Sequence, residues 1–224
     1  MFRRLQEFPL LMGLSKGELM RIVETMDLDF RKLPPQSVLA RQGERCDRLC
    51  YLLGGKMDIE RTIRDGSDLV IAEQVTVEEG RPFLIEPCRL WGIRQLFART
   101  YTLPAGGSVC MLRKAQVASL VGDYPIVRTN MLSMACNAVQ RGDELRALPF
   151  TTSAGDSFRR FVRLNALTVS GPKRIKGGIA ELAEFLSVNK VALSNVLHAM
   201  ADRELLTVER KNILIHDTEK LLST

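Results

Sequence analysis

Four side chains in one short stretch have the types and spacing needed to read base-pair edges: Lys190, Val191, Ser194 and Asn195. On a helix these positions share one face. A lysine ammonium donates to guanine or to phosphate, an asparagine amide makes a bidentate contact with adenine, and a valine methyl meets the methyl of thymine. Asn189 precedes them as a favoured N-cap, where the positive end of the helix and its free amides face phosphate. Arg159, Arg160, Lys173, Arg174, Lys176, Arg210 and Lys211 are candidate phosphate contacts, which position a protein without reading sequence. On residue type alone, each of these is also readable as an ordinary solvent-facing side chain.

Little else in the chain offers chemistry. There is no nucleophile elbow, Walker loop, HExxH or zinc-spaced Cys/His set, and the two histidines, His198 and His216, lie outside any cluster. An enzyme and a metal site are therefore not expected. The five cysteines, Cys46, Cys50, Cys88, Cys110 and Cys136, are odd in number and form no pair of CxxC motifs, so they read as reduced, buried thiols. The formal charge of +6 suits a polyanionic partner, but residues 149–224 carry 11 Lys/Arg and 8 Asp/Glu, only half of it. A nucleic-acid reading must rest on local placement. Met1-Phe2-Arg3-Arg4 resembles the start of a signal peptide, yet no apolar run of signal or membrane-spanning length follows. The expectation is a cytoplasmic protein with no membrane partner.

The elements that must hold the reading residues are legible around them. Residues 179–186 form one short helix, 187–188 a tight connection, and a second helix runs from Lys190 to about Asp202. Apolar contacts at Leu182, Ala183, Leu186, Val188, Leu193, Val196 and Leu197 make this a helix-turn-helix. Residues 205–208, a polar turn at 209–212 and residues 213–215 follow as strand, turn and strand: a wing. A helix from Ser153 to about Leu167, with Phe158, Phe161, Val162, Leu164 and Leu167 on one face, precedes the motif.

Upstream, Pro125 opens a long helix that Pro149 ends. Val127, Met131, Met134, Ala138, Leu145 and Leu148 recur along it in heptad rhythm, broken by Arg141, and predict a homodimer seam. Packing within its own domain is the alternative. Residues 29–120 alternate short β-rich runs with Gly-containing turns, among them Gly54-Gly55 and Asp65-Gly66, and predict a small antiparallel roll. Ser15 and Glu18 form a capping box that starts a helix near the N-terminus. The expected division is 1–122 for the roll with its N-terminal helices, 123–148 for the long helix and 149–224 for the winged helix, an α+β architecture.

This arrangement resembles the cyclic-AMP receptor protein/FNR (Crp/Fnr) family of bacterial regulators. The resemblance covers nearly the whole chain. It rests on residues 181–197, on the Asp202-Arg203-Glu204-Leu205-Leu206 lead into the wing, and on Arg41-Gln42-Gly43-Glu44, residues 47–57 and Arg64-Asp65-Gly66 in the roll. It implies a cyclic-nucleotide-binding-like β-roll, a dimerisation helix, and a dimer that reads a palindromic site in duplex DNA and regulates transcription, with RNA polymerase a candidate partner. It also implies a phosphate-binding cassette, for which Glu86, Arg99 and Thr100 are the candidate remnants and Arg141 the candidate on the long helix. Here the chain departs from the pattern. Ile85 stands at the glycine position and Pro87 removes an amide donor, which argues against cyclic AMP. No cysteine precedes Cys46, which argues against an iron–sulfur cluster. Haem stays open, with Cys88, Cys110, Met57 and Met134 as candidate ligands, and the effector itself is unknown. The rival reading is a winged-helix protein-interaction module that binds no specific DNA.

Overall fold

The structure is a computed structural model that describes residues 5–64, 66–78, 80–147 and 153–223. By its contacts the chain divides into two compact units, one of residues 1–57 and 75–142, the other of residues 58–74 and 143–224. Residues 58–74 fall in the second unit, and the long helix, expected as a segment of its own, is divided at residue 142 between the two.

The first unit begins with helix α1 (Lys16–Thr25), started by the expected capping box. The Ser15 hydroxyl accepts from the Glu18 amide at 3.3 Å, and the Glu18 carboxylate accepts from the Ser15 amide at 2.8 Å. The roll follows: β1 (Asp29–Leu33), β2 (Ser37–Ala40), β3 (Arg48–Thr62), β4 (Val70–Val77), β5 (Phe83–Ile85), β6 (Thr100–Leu103) and β7 (Gly107–Arg113). β7 lies antiparallel between β1 and β3, β5 lines the other edge of β3, and β2 pairs with β6. Gly54-Gly55 is not the turn its composition predicts. β3 passes through it with only a register shift, because this chain and Gly106-Gly107 approach too closely for side chains. At Gly106, φ is +77° and a Cβ would stand 2.5 Å from the Leu33 carbonyl, so only glycine fits. The core is aromatic and aliphatic. Tyr51 stacks on Phe8 with ring centroids 4.2 Å apart, and Leu49, Leu52, Tyr101, Leu103 and Val109 are fully buried. Two helices close the unit, α2 (Lys114–Asp123) and the start of α3 (Pro125–Ala147).

The second unit is the winged helix. α4 (Ala154–Asn165) is capped by Ser153 and buries Phe158, Phe161 and Val162, while Leu164 of its predicted apolar face stays exposed. Strand β8 (Lys173–Lys176) leads to α5 (Ile179–Leu186) and α6 (Lys190–Asp202), then to the wing strands β9 (Leu206–Val208) and β10 (Asn212–Ile215) and a last helix α7 (Thr218–Ser223). β10 pairs antiparallel with both β9 and β8.

The outer side of β8 is filled by β4. Val70, Ile71, Ala72 and Glu73 pair antiparallel with Lys176, Ile175, Arg174 and Lys173. Leu69 and Ile71 are buried in the same apolar cluster as Phe158, Leu182, Leu193, Leu197 and Ile213. Burial of two such side chains stabilises by roughly 2 kcal/mol each. Asp65, in the predicted Asp65-Gly66 turn, lies outside the described residues.

One buried charge pair fixes this register. The Glu73 carboxylate accepts from the Leu167 amide at 2.6 Å, the Thr168 amide at 3.0 Å and the Thr168 hydroxyl at 2.7 Å, and pairs with the Lys173 ammonium at 3.3 Å. Lys173 in turn donates to the Thr168 hydroxyl and the Ser170 carbonyl. Both side chains are almost wholly withdrawn from water. Removing one partner leaves a buried, uncompensated charge, which typically costs about 3–5 kcal/mol. Glu73→Ala is expected to lower unfolding stability by that amount in urea titration; a loss under about 1 kcal/mol refutes the assignment.

Burial also separates the cysteines. Cys46, Cys50 and Cys110 are buried, and desolvation pushes their thiols up to about 11, 12 and 12 respectively. Cys88 and Cys136 are exposed, contrary to the expectation that all five are buried. Alkylation of the native protein at neutral pH should label only Cys88 and Cys136. Rapid labelling of a third thiol before unfolding contradicts the packing of the roll.

Candidate nucleic-acid interface

Three features build the helix-turn-helix. Ser187 adopts a left-handed conformation, φ 54°, that ends α5 sharply. The Val188 amide donates to the Ala183 carbonyl at 3.0 Å, and buried Ala183 leaves room for the turn beside it. Asn189 then starts α6, its side-chain oxygen accepting from the amides of Val191 at 2.8 Å and Ala192 at 3.2 Å. The predicted cap is therefore present. It also occupies two of the leading amides, which are not free for phosphate as the sequence suggests. Leu193, Leu197 and Met200 bury the inner face of α6.

The outer face carries the predicted readers. Lys190, Val191 and Asn195 are exposed, Val191 at 66%. An apolar side chain held so far out of the core suits contact with a methyl group rather than with water. Ser194 is half-buried. His198, one turn on, extends the same stripe and was not anticipated, although its i+4 spacing from Ser194 is visible in the sequence. Its Nδ1 lies 2.7 Å from the Ser194 carbonyl and 3.4 Å from the Ser194 hydroxyl.

The wing is closed by the Glu209 amide donating to the Asn212 carbonyl at 2.8 Å. Arg210 and Lys211 project, exposed, from its turn. His216 is structural: it bridges the Glu204 carbonyl through Nδ1 at 3.0 Å and the Thr207 hydroxyl through Nε2 at 2.9 Å.

Several predicted phosphate contacts are engaged elsewhere. Lys173 is buried with Glu73, because alternation along β8 turns residues 173 and 175 inward. Lys176 pairs with Glu60. Arg159 donates to the Leu221 carbonyl at 3.2 Å and pairs with Asp156 at 3.1 Å, satisfying the end of α7 instead of a phosphate. Arg163 does the same for Leu222 at 3.0 Å. Arg160 is half-buried and engaged within the protein. Arg174, Arg210 and Lys211 are the exposed cations of the set.

One member of the expected dimer seam is turned inward. Val127 is fully buried in its own unit, and Asn130 on the same side donates to the carbonyls of Leu10 and Met12 at 3.1 and 2.8 Å. Met131, Met134 and Leu145 are half-buried and Ala138 is exposed, while Leu148 lies outside the described residues. Ile126 of α3 is 37% exposed, and Leu132 and Val139 are 64% and 62% exposed. Leu132 and Val139 lie one heptad apart, roughly a third of a turn from Val127.

Three of the four effector candidates come together. The Glu86 carboxylate accepts from the Ala98 amide at 2.7 Å, the Tyr101 hydroxyl at 2.7 Å and Arg99 at 3.4 Å, and Arg89 stands 3.9 Å away. The adjacent Thr100 hydroxyl accepts from the Gln42 amide. Arg141 is exposed on α3. The bond of Tyr101 to Glu86 carries no signal in the sequence, because an aromatic on an alternating strand does not announce its partner. Burial, and then the neighbouring carboxylate charge, push the Tyr101 phenol pKa up. Ile85 is buried under Glu86. Among the described residues, no group of His, Cys, Asp and Glu is placed to hold a metal, and no helix is long and apolar enough to cross a membrane.

No protein-family model matches the sequence, and no curated protein matches it. Solved structures do. The Thermus thermophilus catabolite activator protein matches with a TM-score of 0.50 and 20% identity over 96% of each chain. DNR from Pseudomonas aeruginosa matches with a TM-score of 0.44 and 20% identity over 98% of this chain and 95% of that one. A chain from Eubacterium rectale, described as a transcriptional regulator of the crp/fnr family, matches with a TM-score of 0.49 and 14% identity over 97% and 98%. A β-roll, a long helix and a winged helix-turn-helix, in that order along one chain, give this protein the fold of that catabolite activator protein.

Proposed function

We propose that this protein is a sequence-specific DNA-binding transcription regulator of the Crp/Fnr type, acting in the cytoplasm as a homodimer on a palindromic site. The observation that carries the reading is the outer face of α6. Lys190, Val191, Asn195 and the half-buried Ser194 lie on one stripe of a helix whose opposite face is buried. A protein-interaction surface built on a winged helix has less need of amide and ammonium donors at base-reading spacing. Arg174, Arg210 and Lys211 supply phosphate contacts around the readers, with Asn189 fixing the start of the helix.

Dimerisation runs through α3, on the stripe of Leu132, Ala135 and Val139 with Gly142 beyond it. Large and small residues alternate there in heptad rhythm. Two-fold symmetry then places the recognition helices about one turn of duplex, ~34 Å, apart.

The sensor is read as degenerate for cyclic nucleotides. The Glu86 carboxylate is spent on three internal donors, and Arg99 is one of them. No catalysis, metal or resident cofactor is assigned.

Selection from random duplexes by the purified protein should enrich a palindrome without added effector. Lys190→Glu should weaken binding to that duplex at least tenfold, and affinity should fall steeply between 50 and 200 mM salt. Enrichment of no sequence, or indifference to Lys190→Glu, favours the protein-interaction reading. The pair Leu132→Glu and Val139→Glu is expected to give a monomer in sedimentation equilibrium; a dimer that survives both charges places the seam elsewhere. Titration calorimetry with cyclic AMP should show no binding, and saturable binding overturns the degenerate-sensor reading.

A further inference from the structure

We propose that His198 is a base-reading residue of α6, accepting a hydrogen bond through Nε2 from the exocyclic amine of a cytosine or an adenine. The proposal rests on the DNA-binding reading and extends it to a residue one turn beyond the predicted set. Its basis is the bond between His198 Nδ1 and the Ser194 carbonyl at 2.7 Å.

A carbonyl oxygen only accepts, so the Nδ1 atom carries the proton in that bond. In the neutral ring, Nε2 is then left with a lone pair. The ring is also held against its own helix, so Nε2 has a set direction rather than the freedom of an exposed side chain. Helical side chains lean toward the N-terminus, so the ring covers the surface over the preceding turn, beside Ser194 and Asn195. It therefore sits inside the reading stripe and not at its far end.

The contrast with His216 sharpens the point. Both nitrogens of His216 are taken by the protein, by Glu204 and Thr207. His198 is exposed, and its Nε2 has no recorded partner among the described residues. In the major groove the only hydrogen-bond donors are the N4 amine of cytosine and the N6 amine of adenine. An acceptor directed there discriminates against guanine and thymine at its position. Lys190 supplies only donors, so His198 adds a reading that Lys190 cannot make.

The test compares selections from one random duplex pool by the wild-type chain, His198→Ala and His198→Lys, followed by affinity measurements on single-base variants of the wild-type consensus. The wild type should prefer cytosine or adenine at one position of each half-site. His198→Ala should lose about fivefold discrimination there and leave the other positions intact. His198→Lys, which has donors and no acceptor, should move that position toward guanine. A consensus unchanged by His198→Ala sinks this proposal alone. So does a uniform loss of affinity for every sequence with a shallower salt dependence, which marks a phosphate contact. A wild-type chain that enriches nothing sinks the DNA-binding reading and this proposal together.

Discussion

A carboxylate and an ammonium removed from water cannot be left without each other, and in this protein that constraint organises the winged helix. Glu73 and Lys173 come from strands distant in sequence, and each is tolerable inside only because the other is there. Glu73 also gathers the amides of Leu167 and Thr168, the point at which the chain leaves α4 and turns toward β8. Charge pairing sets the register of β4 on β8, and the register places Leu69 and Ile71 in the core beneath α5 and α6. A slip of one residue reverses every side chain of β4, so Glu73 would face water and Lys173 would be stranded.

This explains which parts of the fold were legible in the sequence. Helices α5 and α6, the cap at Asn189 and the wing announce themselves locally, through turn residues and 3.6-residue periodicity. So does the capping box at Ser15. Strand β8 does not, because Lys173-Arg174-Ile175-Lys176 reads as a basic surface segment. Its lysine points inward only because a glutamate a hundred positions upstream is waiting for it. The bond of Arg159 to the Leu221 carbonyl was hidden for a related reason: that carbonyl belongs to an element whose position no local pattern reveals. The exposed stripe of Lys190, Val191 and Asn195 was visible in the sequence, and the bond that holds His198 against its own helix backbone was not.

The long helix and the roll show the same limit in gentler form. Heptad rhythm identifies a helix with an apolar stripe, but α3 carries two overlapping ones, and rhythm alone does not say which is already covered at home. Asn130 ties one side of its first turns to the N-terminal segment. In the roll, Glu86 and Arg99 looked like remnants of a ligand site. Tyr101 joins them in an internal network, in which the carboxylate accepts from a phenol and a backbone amide.

The winged-helix unit is written in two places in the gene. Residues 58–74 supply the end of β3, most of β4 and two core side chains, and residues 143–224 supply the rest. A gene fusion that carries only the C-terminal portion to another protein leaves β8 as a raw sheet edge with a buried lysine and no counter-ion. Recombination between related chains meets the same obstacle, since a crossover in the long helix separates Glu73 from its own Lys173. Inheritance of the winged helix is therefore tied to inheritance of residues 58–74, and its helices cannot drift to a new host scaffold alone.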